Sequence, residues 1–157
     1  MQVQEIMSKE PDCCLPGDSA QKAAKLMQQL DVGVVPVLKS GLEQKVIGIV
    51  TDRDLCLKVI VEGLDPASVR VEECMTGKVV SCRPQDDVQQ AAKLMAEYQV
   101  RRLPVVDDDD TIVGIVSLGD IAYTEAVAPT RIGERLKEIS EPTEEASKPR
   151  AEEESKG

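Results

Sequence analysis

Two rhythms of apolar and polar positions run through this chain, and they come round twice in the same order. Ala20, Ala23, Ala24, Met27 and Leu30 are spaced by threes and fours, which predicts a helix of about a dozen residues with one face against a core. Pro16-Gly17-Asp18 precedes it, and Asp18 is placed to accept from its first free amides. The unbroken run Val34-Val35-Pro36-Val37-Leu38 predicts a short buried strand, with Val46-Ile47-Gly48-Ile49-Val50 as its hairpin partner across the loop that holds Gly41. Thr51-Asp52-Arg53-Asp54 opens a second helix to about Val61, closed by Gly63 and Pro66. Val88, Ala91, Ala92, Met95 and Tyr98 then restart the helical spacing, and the series repeats.

The recurrence is close enough to align. Ala23-Ala24-Lys25-Leu26-Met27 returns unchanged as Ala91-Ala92-Lys93-Leu94-Met95. The same 68-position shift carries Met7 onto Met75, Pro16 onto Pro84, Asp18 onto Asp86 and Pro36 onto Pro104. From Gly48-Ile49-Val50 the shift onto Gly114-Ile115-Val116 is 66, because loop 39–45 is two residues longer than loop 107–111. A hairpin tip tolerates such a change in length. A unit of about 60 residues is marginal alone, so the two copies are expected to bury a shared face about an approximate two-fold axis. The expected boundaries are 1–66 for the first copy, 67–128 for the second and 129–157 for a C-terminal segment. Each copy reads strand, helix, strand, strand, helix, an α/β (α+β) fold. Ile132, Leu136 and Ile139 predict a further amphipathic helix over about Arg131 to Ile139, and the polar stretch from Glu141 onward is expected to be disordered.

Composition narrows the chemistry. In 157 residues, 29 acidic side chains outweigh 19 basic ones for a net charge of −10, so nucleic-acid backbones and anionic membranes are not expected partners. No apolar run approaches the length of about 20 residues that spans a bilayer. Histidine, phenylalanine and tryptophan are absent and the only aromatic residues are Tyr98 and Tyr123. That removes histidine-based triads, histidine-ligated metals and base-stacking platforms. The five cysteines include no C-x-x-C pair, and Cys14 and Cys82 hold equivalent positions that fit matching buried slots. With no secretory leader in the opening residues, the cysteines are read as reduced and the protein as cytoplasmic. Asp107 to Asp110 looks like a cation site, but oxygen-ligand loops alternate their ligands and include a turn glycine. The run reads as a solvated hairpin tip, and no metal is expected.

The chemically suggestive element is the end of the second hairpin strand: Gly48-Ile49-Val50-Thr51-Asp52-Arg53-Asp54 and its copy Gly114-Ile115-Val116-Ser117-Leu118-Gly119-Asp120. Free amides at a helix start attract phosphate. A hydroxyl there can bond phosphate or ribose, a carboxylate one turn on can accept from both ribose hydroxyls, and a strand glycine lets a ligand approach the backbone. The same Thr/Ser-x-x-Asp spacing is also a capping box with Asp in place of Glu. Spacing alone leaves both readings open.

Taken together, and in order, these elements resemble a tandem pair of cystathionine β-synthase (CBS) domains over about Val3 to Glu125. The match rests on Met7-Ser8 and Met75-Thr76, Pro16-x-Asp18 and Pro84-x-Asp86, Val35-Pro36-Val37 and Leu103-Pro104-Val105, and the two Gly-x-x-Thr/Ser-x-x-Asp junctions. The resemblance implies clefts between the repeats that bind AMP, ADP, ATP or a related adenosine ligand such as NAD or S-adenosylmethionine. It also implies a regulatory rather than enzymatic role, an unidentified regulated protein, and a disc-like homodimer of two pairs. Carried over by position, Thr51 and Asp54 would serve one cleft and Ser117 and Asp120 the other, the hydroxyls on phosphate or ribose and the carboxylates on ribose. Lys78-Val79-Val80 would give backbone contacts to the base, with Glu10-Pro11-Asp12 as the first-copy equivalent. Asp52 would repel phosphate and Arg53 offset it, while Arg101 and Arg102 could clamp phosphate or lie on the surface. The clefts are therefore expected to be unequal, with the second-copy cleft friendlier to polyphosphate. The alternative is a ligand-free scaffold for dimerisation or docking.

Overall fold

The computed structural model describes residues 1–124 and 129–141. The expected disordered tail lies, beyond Glu141, outside the described residues. The elements are β1 (Ser8–Lys9), α1 (Ala20–Leu30), β2 (Val34–Leu38), β3 (Val46–Thr51), α2 (Asp52–Leu55), α3 (Val71–Cys74), α4 (Val88–Glu97), β4 (Arg102–Val106), β5 (Ile112–Ser117), α5 (Leu118–Tyr123) and α6 (Pro129–Ser140). Helix α2 runs on into a π-helical turn, Cys56–Ile60. Gly63, at φ +66°, then takes the left-handed conformation that ends the segment.

The two copies are mixed α+β units with matching hairpins. In β2–β3, Val34 faces Thr51 and Val37 faces Gly48; in β4–β5, Arg102 faces Ser117 and Val105 faces Gly114. Both ladders slip at the same place, between Val37 and Leu38 and between Val105 and Val106. Segments at Cys14 and Cys82 lie parallel to β2 and β4 as an outer rung. The hairpins meet where Lys45 bridges Thr111, two equivalent positions, so the approximate two-fold axis passes between them. The bonds from Val46 N to Asp110 O (3.4 Å) and from Ile112 N to Gln44 O (2.9 Å) close this seam.

Each copy is completed by a segment that precedes the other. β1 pairs with β5 of the second copy, and Val3, fully buried, belongs to the second core with Val88, Met95, Leu103 and Ile121. Reciprocally, Thr76 bridges Ile49 of the first copy, and Val71 and Cys74 lie in the first core with Ala23, Met27, Val35 and Val50. Burying a valine stabilises by roughly 1.5–3 kcal/mol, so the exchange ties the halves together more firmly than the hairpin seam alone.

Local differences from the sequence reading have local causes. Asp18 does not cap α1; its carboxylate accepts from Leu15 N (2.9 Å) within the preceding turn and pairs with Lys22 Nζ (3.1 Å). Ser19, held extended, is the cap and accepts from Lys22 N at 3.0 Å. Ala24 and Leu30, expected on the buried face of α1, are exposed, whereas the equivalent Ala92 on α4 is buried. The difference is α6, which lies against α4 and α5 and has no counterpart over α1 among the described residues.

Candidate functional site

At both strand-to-helix junctions the capping geometry is complete. Thr51 Oγ1 accepts from Asp54 N (3.0 Å) and Asp54 Oδ2 accepts from Thr51 N (3.0 Å). Ser117 Oγ accepts from Asp120 N (3.0 Å) and Asp120 Oδ2 from Ser117 N (2.8 Å). Each box occupies one carboxylate oxygen. The other oxygen of Asp54 faces Lys58 Nζ at 3.6 Å, whereas Thr124 stands at the place equivalent to Lys58.

Two clefts lie at the junction of the repeats, related by the internal symmetry. One, of about 290 Å³, is lined by Val34, Pro36, Ile49, Thr76, Lys78, Val80, Tyr98, Val100, Arg102, Leu103, Pro104 and Ile115. The other, of about 350 Å³, is lined by Ser8, Lys9, Glu10, Pro11, Asp12, Leu30, Val32, Val34, Arg102, Ile115, Ser117 and Asp120. Thr76 and Ser8, Lys78 and Glu10, Val80 and Asp12, Tyr98 and Leu30, and Val100 and Val32 are equivalent pairs. Apolar walls with a few convergent polar groups are the usual make-up of a small-molecule site. Glu10 is held at φ +51°, a left-handed conformation that costs a non-glycine residue about 1 kcal/mol.

The exchange of segments crosses the expected pairing. Glu10-Pro11-Asp12 was expected beside Thr51 and Asp54; it lines the cleft of Ser117 and Asp120 instead. Lys78 and Val80 line the opposite cleft, on the side of β2 and β3, and Val79 is not among its lining residues. The Ser117/Asp120 cleft therefore carries Glu10, Asp12 and Asp120 against Lys9 and Arg102. The Lys78 cleft carries Lys78 and Arg102 with no carboxylate among its lining residues. The expectation of unequal clefts had placed Lys78 with Ser117 and Asp120, whereas the structure places it in the other cleft.

Ser117, Asp120, Lys78, Val80 and Arg102 thus line a cleft, and Arg102 lines both. Thr51 and Asp54 do not; Thr51 lies opposite Val34, which lines the wall. Arg53 is exposed and outside both clefts, and Asp52 turns its Oδ1 onto Arg53 N at 2.8 Å. Arg101 is exposed beside a separate hollow of about 330 Å³ with Ser117, Gly119 and Leu136. The strand glycines also differ from expectation. A Cβ on Gly48 would meet Met75 Sδ at 2.8 Å and Thr76 O at 2.9 Å, so the close approach they permit is that of the exchanged segment, not of a ligand.

Sequence reasoning missed Tyr98, Thr76, Lys9 and Ser8. Tyr98 continues the helical spacing of α4, yet it is half exposed at a cleft mouth. The signal was its mismatch with Leu30 at the equivalent position. Cys14 and Cys82 do occupy matching buried slots, and burial pushes their thiols up to about 11 and about 12. Neither supplies a thiolate near neutral pH. Asp107 turns its carboxylate onto Asp109 N and Thr111 N within its own turn, and no metal-holding cluster occurs among the described residues. No helix among the described residues is long and apolar enough to cross a membrane.

Comparison with known proteins places this geometry. A family model described as the CBS domain matches residues 3–60 and 71–125. The CBS domain-containing protein YhcV of Bacillus subtilis is 38% identical over 123 residues, 78% of this chain and 84% of the relative. Among solved structures, the CBS domain pair of MJ0100, in complex with 5′-methylthioadenosine and S-adenosyl-L-methionine, is similar at a TM-score of 0.69 and 29% identity, covering 79% of this chain and 94% of that one. The hexameric CBS-CP12 protein from bloom-forming cyanobacteria is similar at a TM-score of 0.67 and 32% identity, covering 78% of this chain and 70% of that one.

Proposed function

We propose that this chain, which belongs to the CBS domain family, works as a sensor of adenosine-containing small molecules and passes their occupancy on to a partner protein. CBS pairs are regulatory ligand-binding modules. What carries the reading here is the pair of symmetry-related clefts at the repeat junction, each an apolar slot with a hydroxyl and cationic groups. The adenosine compounds held by the related MJ0100 pair support the ligand class. In this reading the cleft-lining hydroxyls of Ser117 and Thr76 contact phosphate or ribose. The free oxygen of Asp120 accepts from ribose. The base lies between apolar walls such as Val80, Val100 and Ile49.

A ligand biases the packing of the two copies only by its differential affinity for the alternatives. The exchanged segments make that packing sensitive to what fills the clefts, because β1 and Thr76 belong at once to a cleft wall and to the opposite sheet. The signal leaves through an unidentified regulated protein or through a homodimer, in the cytoplasm, and the chain itself catalyses nothing. A ligand-free scaffold is the second reading, favoured by the exposed apolar residues Leu57, Ile60, Val61 and Leu64.

Thermal unfolding with AMP, ADP, ATP, NAD and S-adenosylmethionine tests the proposal. A ligand at about 100 times its dissociation constant adds about 2.7 kcal/mol. At least one compound is expected to raise the midpoint, and Asp120→Ala to shrink the rise. No shift with any compound leaves the scaffold reading.

A further inference from the structure

We propose that the two clefts sort adenosine ligands by charge, the Lys78 cleft taking a phosphate-bearing nucleotide and the Asp120 cleft an adenosine ligand without net negative charge. This rests on the sensor reading above and adds which ligand goes where. The clefts share a frame but not a charge. Where one presents Lys78 and Val80, the other presents Glu10 and Asp12 at the equivalent positions. Arg102 lines both clefts and does not distinguish them. In the Lys78 cleft it adds to a lone lysine, and neither cation forms an ion pair among the described residues. In the Asp120 cleft it and Lys9 stand against three carboxylates.

Two neighbouring features sharpen the division. Asp54, the first-copy counterpart of Asp120, is not among the residues that line the Lys78 cleft, and it is drawn to Lys58 Nζ at 3.6 Å, which lessens its repulsion of an incoming phosphate. Asp120 has no such lysine, because the equivalent residue is Thr124. Tyr98 gives the Lys78 cleft an aromatic wall for a purine, where Leu30 stands in the other. Glu10 is fixed in its left-handed conformation at the wall of the Asp120 cleft, so its backbone is committed to that site.

AMP and adenosine share base and sugar and differ by the phosphate, so they are the probes. The full chain is titrated with each by calorimetry, and the amide NMR signals of residues 9–12 and 78–80 report which cleft fills. AMP is expected to move the 78–80 signals first and to bind there at least about tenfold more tightly than at 9–12, since a charge-assisted hydrogen bond contributes that much or more. Lys78→Gln, an exposed position where folding is not at risk, is expected to weaken AMP about tenfold and leave adenosine unchanged. Paired Glu10→Gln and Asp12→Asn substitutions are expected to strengthen AMP at 9–12. AMP filling both clefts equally, AMP preferring 9–12, or Lys78→Gln weakening AMP and adenosine alike each overturns the charge sorting while the sensor reading stands. Failure of both probes and of the whole adenosine panel to bind overturns the sensor reading, and the sorting with it.

Discussion

Gly114 and Gly48 show how much a single missing carbon can decide. A Cβ on Gly114 would lie 2.7 Å from Met7 Sδ and 2.9 Å from the carbonyl oxygen of Ser8. The methionine can swing away, but the carbonyl belongs to β1 and is held by the β1–β5 pairing. An added methyl therefore has to push a strand, and overpacking of this kind costs about 1–3 kcal/mol. Gly114→Ala and Gly48→Ala are each expected to lower the unfolding free energy from urea titration by that amount, whereas Gly41→Ala, with open space around it, is expected to change it little. Equal effects at all three would show that the crowding is not what these glycines serve.

Between elements, the governing fact is the reciprocal exchange, and it makes a prediction that ordinary tandem domains would fail. Val3 precedes the first copy and Val71 the helix of the second, yet each is fully buried in the core of the other copy. Val3→Ala is expected to cost about 2 kcal/mol and to speed hydrogen exchange chiefly in β4 and β5. Val71→Ala is expected to do so chiefly in β2 and β3. The reverse assignment would show that each copy is completed by its own leading segment. The hairpins were legible in the sequence: Val34–Leu38 is read residue for residue, and the C-terminal helix to within two residues at its start. The exchange was not, because internal similarity establishes that Met7 and Met75 are equivalent without saying which copy each one touches. That ambiguity carried Glu10 to Asp12 to the wrong cleft, and with it the sign of each cleft's charge. The π turn at Cys56–Ile60 likewise has no spacing signal apart from that of an α-helix.

The whole molecule departs from two-fold symmetry at α6, and this bears on how two molecules would meet. α6 covers α4 in the second copy, with Ile139 against the second core. Among the described residues the first copy has no such cover, and along its second helix Ile60 and Val61 are 71% and 67% exposed, with Leu57 and Leu64 close by at 45% and 49%. A second molecule presenting the same strip would bury it in an isologous contact. The proposed homodimer therefore engages through the first copies, with α6 standing over the second. Each large aliphatic side chain removed from water stabilises by roughly 1.5–3 kcal/mol, so a charge in the strip should weaken self-association by about tenfold or more. Light scattering at micromolar concentration is expected to give a dimer mass for the natural chain and a monomer mass for Ile60→Glu, with the far-ultraviolet circular dichroism of the two unchanged. A dimer that persists in Ile60→Glu and Val61→Glu but dissociates on removal of residues 129–157 would place the contact on α6 instead.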